Sequence, residues 1–265
     1  MRESKYGLPA LNTLGFLVMV TINTLANALP INDITTGEVS ARYDNLFVPA
    51  GFTFSIWGVI YLLLAVFVAY QWVVSRQDSG VRSFTDKVGI WFFVSCLANA
   101  GWIFAWHYEV LALSLILMLL LLACLLAIYL RLGIGVTRVT RGEKYLVHLP
   151  FSVYLGWITI ATIANVSALL VSIQWDALGL DPQFWTVAVV TVGIAIALAM
   201  AIRRQDIYFC LVIVWALLGI LMKRLGDPVT PDQAVVAATI AGICVVSVAI
   251  IVQVARSHVY GQTIT

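Results

Sequence analysis

Apolar residues gather in long runs from which charges are nearly absent. Eight of these are close to the ~20 residues that a helix needs to cross hydrocarbon. They cover 11–29, 51–74, 88–106, 110–130, 145–172, 184–202, 207–223 and 233–255. A backbone in lipid must satisfy its own polar groups, so the pattern predicts an all-α polytopic transmembrane bundle of about eight spans. The third and fourth runs divide only at His107, Tyr108 and Glu109, which predicts a tight helical hairpin with a solvated tip. Pro150 falls near the start of the fifth run, where a first-turn proline costs little. His148 stands at the end of the same span as a capping or snorkelling group. Asp227-Pro228 and Pro231-Asp232 mark a turn before the last span, where Ala238 and Gly242 form a small-xxx-small pair that permits close helix contact. No internal repeat is visible, so an inverted-repeat transporter is not indicated.

Composition agrees with the pattern. Of 265 residues, 62% are hydrophobic and 11% charged, and the mean hydropathy is +0.99. A soluble domain carries about a quarter charged residues. The cations are placed unevenly: Arg2 and Lys5 precede the first run, and Arg76, Arg82 and Lys87 follow the second. Arg131, Arg138, Arg141 and Lys144 follow the fourth, Arg203 and Arg204 the sixth, and Arg256 the last. Only Arg42, Lys223 and Arg224 fall on the other side. The bias predicts both termini in the cytoplasm, as in a bacterial cytoplasmic-membrane protein, and an even number of crossings requires the same. Ala26-Asn27-Ala28 after the first run resembles a signal-peptide cleavage site. The run is read as a retained helix, because the next span needs a neighbour. No basic cluster with interleaved aromatics suggests nucleic-acid binding. The loop 30–50, bracketed by Pro30 and Pro49, is either a lid or a polar connector.

Candidate chemistry is aromatic and amide in character. Phe54, Trp57 and Tyr61 share one helix face, Ser95, Asn99, Trp102 and Trp106 a second, and Tyr154, Trp157 and Asn165 a third. Trp57 lies roughly 9 Å, and Asn99 and Asn165 roughly 10 Å, below the outer ends of their spans at the helical rise. These faces predict a cavity that holds a flat hydrophobic ligand by stacking and a few hydrogen bonds. Asn99 and Asn165 serve either as ligand contacts or as hydrogen-bonding glue between helices. Trp57, Trp102, Trp157 and Trp215 are interior; Trp72, Trp91, Trp106, Trp175 and Trp185 read as interfacial belt residues. Cys96, Cys124, Cys210 and Cys244 sit in apolar runs without paired spacing and read as small buried hydrophobes. His107, His148 and His258 lack metal-ligand spacing, and no hydrolase, zincin or phosphate-loop motif occurs. The residues thus supply neither a catalytic group nor a metal site.

Three segments resemble the TspO/translocator-protein (tryptophan-rich sensory protein, TspO/MBR) family in order and spacing. Pro49, Gly51, Trp57, Gly58 and Tyr61 match its proline-led, aromatic second helix. Asn99 and Trp102 match the L-N-x-x-W of its third, and Tyr154, Leu155, Trp157 and Asn165 match its fifth. Ala98, Val153, Ile160 and Ala164 depart from the pattern. The resemblance covers roughly 8–175 and divides the chain into a five-helix unit, 1–175, and three additional helices, 176–265. It implies a pocket for a tetrapyrrole (porphyrin or haem) or sterol-like ligand, with Trp57, Asn99, Trp102, Tyr154 and Trp157 in it, no required cofactor, and a homodimer. The implied role is sensor, regulator or carrier. A transporter of a small amphipathic metabolite and a porphyrin-degrading enzyme remain alternatives.

Overall fold

The computed structural model describes residues 6–29, 31–76, 84–226 and 232–261, with side chains as far as Arg256. Pro30, the predicted turn residues Asp227, Pro228 and Pro231, the cations Arg2, Lys5 and Arg82, and the His258 side chain lie outside these. In chain order the helices are α1 (Gly7–Ala28), α2 (Thr36–Arg42), α3 (Ile56–Arg76), α4 (Phe84–Val88), α5 (Trp91–His107), α6 (Leu111–Leu132), α7 (Arg141–Glu143), α8 (Leu149–Ser172), α9 (Pro182–Arg204), α10 (Ile207–Leu225) and α11 (Gln233–Gly261). No strand occurs among the described residues. Seven segments are long and apolar enough to cross a membrane. The eighth long helix, α5, has 17 residues, at the short limit of a crossing helix. It is sheltered between α1 and α6, and its buried residues run the length of the helix.

Local chemistry sets the helix ends. Thr35 and Glu38 form a reciprocal capping box at the start of α2. Asp181 caps α9, whose first residue is Pro182. Gly133 ends α6 in the left-handed region at φ 67°, which an L side chain adopts only with strain. The fifth span differs from its sequence reading. It starts at Arg141 in α7 and continues through a π-turn, Lys144–His148, into α8. Pro150 is therefore inside the helical segment, and the wide turn lies where its missing N–H interrupts the ladder. His148 is buried in that turn, with Nε2 3.9 Å from Glu143.

α1 packs on α3 and α5, α5 on α6, and α6 on α8. α8 also meets α3 and α10, and α9, α10 and α11 pack together. α1 is tied to its neighbours by buried amides as well, Asn12 Nδ2 donating to Gln71 Oε1 at 2.9 Å. Phe67, Phe92 and Phe151 fill the middle of the bundle edge to face, 4.9–5.8 Å apart. A side chain at Gly156 would meet Val212 at 3.1 Å, so this glycine lets α8 and α10 come close. At Gly242 it would strike Ile194 and Leu217, which makes the predicted small position of the last span a contact with α9 and α10. Cys96, Cys124 and Cys210 are buried as predicted, whereas Cys244 faces outward from α11.

The two ends of the bundle differ. Residues 31–55 fold over one, the capped end. The other, the basic end, carries Arg131, Arg141, Lys144, Arg203, Arg204 and Arg256.

Candidate ligand site: an aromatic hollow under a latched cover

Trp57 is the second residue of α3, just after the 3₁₀ turn Gly51–Ser55, and its ring meets side chains of α5 and α8. Its ring lies 5.6 Å from Tyr61, 6.2 Å from Trp102, 6.1 Å from Tyr154 and 6.2 Å from Trp157, centroid to centroid. Phe54 meets Trp157 edge-on at 6.1 Å, and Trp102 stacks on Trp106 at 5.7 Å. The three predicted faces therefore converge. Between them is a hollow of about 40 Å³. Its walls are Phe54 and Trp57, Trp102 and Trp106 of α5, and Trp157, Ile160, Ala161, Ala164 and Asn165 of α8; Thr36, Ser40 and Pro49 roof it.

Of the predicted site residues, Trp57, Trp102, Trp157 and Asn165 line this space. Tyr61, Asn99 and Tyr154 stand behind it. Asn99 and Tyr154 are fully buried in a polar chain: Asn23 Nδ2 donates to Asn99 Oδ1 at 2.7 Å, and Asn99 Nδ2 donates to Tyr154 Oη at 3.1 Å. Asn23 Nδ2 also reaches the Met19 carbonyl at 2.8 Å. Asn165 borders the hollow while its amide bonds Ser114 on α6, with Oδ1 at 3.0 Å and Nδ2 at 2.7 Å from the hydroxyl. Among the lining donors, the indole N–H groups of Trp102 and Trp157 have no partner, although these residues are 5% and 3% exposed. A buried donor without an acceptor costs about 1–3 kcal/mol.

Two readings need correction. Trp106 is not an interfacial residue: it is 5% exposed, lines the hollow and donates to the Thr36 carbonyl at 3.1 Å. The hairpin tip at 107–109 is not simply solvated. His107 is fully buried, its Nε2 3.0 Å from Thr36 Oγ1 and its Nδ1 3.0 Å from the Ile31 carbonyl. Their common cause is the segment 31–55, which covers this end; it takes in the loop 30–50 that sequence left open between lid and connector, and the first residues of the predicted second run. The cover is held by Asn32 Nδ2 donating to the His107 carbonyl at 3.0 Å, by Arg42 and Tyr43 on Glu109, and by Lys223 on Asp44 at 3.0 Å. On the α10 side, Ala50 N donates to the Gly219 carbonyl at 2.9 Å and Trp215 Nε1 to the Thr53 carbonyl at 3.0 Å. Gly219 permits this approach, because any Cβ there would overlap the Thr53 side chain.

The latch should be acid-sensitive. The Tyr43 hydroxyl, then Arg42, hold the Glu109 carboxyl below the usual range against the opposing push of burial. Burial, then Glu109 itself, pushes Tyr43 up to about 12. A depressed carboxyl stabilises fully above its unfolded pKa of ~4.3 and loses that contribution as pH falls through the lower folded value. Protection of residues 31–46 from hydrogen exchange, relative to the intrinsic rate at each pH, should therefore stay high at neutral pH and fall below about pH 4. Glu109→Gln should exchange faster at neutral pH and show no such acid step; an acid step of wild-type size in this variant would assign it elsewhere.

Fold and site together define a polytopic α-helical membrane protein with an aromatic, amide-bordered hollow at one end. The chain belongs to the TSPO-like protein family, whose profile matches residues 9–252. That match includes α9, α10 and α11 as far as residue 252. No curated protein and no solved structure matches the chain.

Proposed function

We propose that the chain binds a flat hydrophobic molecule, sterol-like or tetrapyrrole, in the aromatic hollow and acts as its sensor, regulator or carrier. The observation that carries this is the pair of unpartnered indole donors, Trp102 and Trp157, on residues that line one space among stacked rings. Such donors call for an acceptor on a guest, and the rings offer faces for stacking. The lining contains neither a cation for a carboxylate nor a histidine or cysteine for an iron. This favours a neutral, sterol-like guest with a carbonyl or ether oxygen over haem. Sites for molecules of this size span ~300–1,000 Å³, so the hollow must widen. The cover formed by residues 31–55 is seated by buried Ile34, Val39 and Phe47 and tied by polar contacts, of which the pair on Glu109 is the one a single side-chain change loosens. The uneven cations support cytoplasmic placement of the basic end and both termini.

The test is tryptophan quenching of the purified chain by protoporphyrin and haem, with sterols as competitors. Saturable quenching that sterol displaces is expected, and Glu109→Gln should speed its onset several-fold without changing its amplitude. Quenching that rises linearly with probe, is indifferent to sterol and has the same rate in the variant would mean partition into detergent or lipid, and the proposal would fall.

A further inference from the structure

At the basic end, α9, α10, α11 and Lys144 of the π-turn enclose an open cavity of about 900 Å³. Apolar Ile202, Ala249 and Val252 form part of its lining. Beside them are Lys144 and Arg256 together with Gln205, Tyr208 and Gln253. Among the described residues, no carboxylate lines it. The two acids adjoining lining residues in sequence are engaged elsewhere. Asp206 is 4% exposed, and its oxygens accept from two hydroxyls and two backbone N–H groups. Glu143 lies beside His148 and takes part in the turn capped by Thr140. Among the described residues, no acid therefore offsets the positive charge of this cavity. Gln253 adds a second, independent feature: its amide nitrogen donates to the Ala201 carbonyl, while its oxygen is buried without a donor.

Two cations, an acceptor that lacks a donor, and apolar lining residues on membrane-crossing helices describe one class of ligand. A phosphodiester answers the cations. A headgroup hydroxyl answers the amide oxygen. Acyl chain covers Ile202, Ala249 and Val252, of which Ile202 is 77% exposed. We propose that this cavity is a binding site for an acidic phospholipid with a hydroxylated headgroup, of the phosphatidylglycerol kind. It lies at the opposite end of the bundle from the aromatic hollow and stands or falls independently of it.

The experiment uses the full chain in neutral-detergent micelles doped with phosphatidylglycerol, phosphatidic acid or phosphatidylcholine, or with inorganic phosphate in the buffer. Native mass spectrometry counts retained lipid, and thermal unfolding gives the accompanying shift. Phosphatidylglycerol should be retained on the order of tenfold more strongly than phosphatidylcholine and should raise the unfolding temperature. The double variant Lys144→Gln/Arg256→Gln, both positions exposed, should fold as wild type without lipid and fall to the phosphatidylcholine level. Gln253→Leu should reduce phosphatidylglycerol to the level of phosphatidic acid and leave phosphatidic acid itself unchanged. Undiminished phosphatidylglycerol retention by the double variant would overturn the site. Equal protection by inorganic phosphate would also overturn it, in favour of a soluble anion, and equal retention of phosphatidylcholine would reduce it to an apolar groove.

Discussion

Asp206→Ala should destabilise the protein by about 3–5 kcal/mol, more than any other single polar substitution at the basic end. The carboxylate joins three helices. Oδ2 accepts from Tyr129 Oη of α6 at 2.9 Å and from Ser152 Oγ of α8 at 2.7 Å. Oδ1 caps α10, accepting from the backbone N–H groups of Tyr208 and Phe209 at 3.1 Å each. Alanine strands two buried hydroxyls and removes the cap, which alone is worth about 1 kcal/mol. Tyr129→Phe and Ser152→Ala each delete one donor and leave the acceptor served by the remaining three, so each should cost only about 1 kcal/mol. Asp206→Asn should fall between, because its amide oxygen still caps α10 and the hydroxyls can turn to accept from its nitrogen. Thermal unfolding of the four variants in one detergent gives the order. An Asp206→Ala loss no larger than that of Tyr129→Phe would show that packing of α10 on α8, rather than the carboxylate, joins the last three helices to the rest.

This carboxylate was not legible in the sequence, for a physical reason. Asp206 sits in a turn between two apolar runs, where an acid is ordinary. Its partners are 77 and 54 residues away, and no periodicity links them. The helices themselves were legible because the bilayer imposes one length and one solution for the backbone. The predicted 110–130 is Leu111–Leu132, and 184–202 is Pro182–Arg204. Convergence of Trp57, Trp102 and Trp157 also followed from helical faces alone. What those faces could not tell was which side chains meet the hollow and which are consumed behind it. Asn99 and Tyr154 lie on the predicted faces yet satisfy each other and Asn23. Trp106, near a span end, looked interfacial because nothing in its own helix indicates that residues 31–55 fold over it. Thr36 and Ser40 were missed for the same reason: a roof made by a loop has no period. One signal was available, the Thr35–Glu38 capping box, which marks α2 inside that loop.

Replacing both unpartnered indoles, Trp102→Phe with Trp157→Phe, should weaken guest binding on the order of 30- to 100-fold, at roughly tenfold or slightly less per lost donor. Stability should change little. Each substitution removes a buried N–H that has no acceptor, a relief of about 1–3 kcal/mol that offsets the packing lost with the smaller ring. The combination separates a ligand donor from a core residue, since loss of plain core packing lowers stability and has no reason to lower affinity selectively. Asn99→Ala is the opposite case. It breaks the links to Asn23 and Tyr154 and should cost about 1–2 kcal/mol of stability, near the upper end for hydrogen bonds between membrane helices. Affinity should be nearly unchanged, because neither of its bonds faces the hollow. Equilibrium competition between protoporphyrin and a sterol, read on the remaining tryptophans, measures affinity, and unfolding in the same detergent measures stability. If Asn99→Ala abolished binding while the phenylalanine pair retained it, the guest would sit deeper, against the amide chain between α1 and α8. The 40 Å³ space would then be its roof rather than its seat.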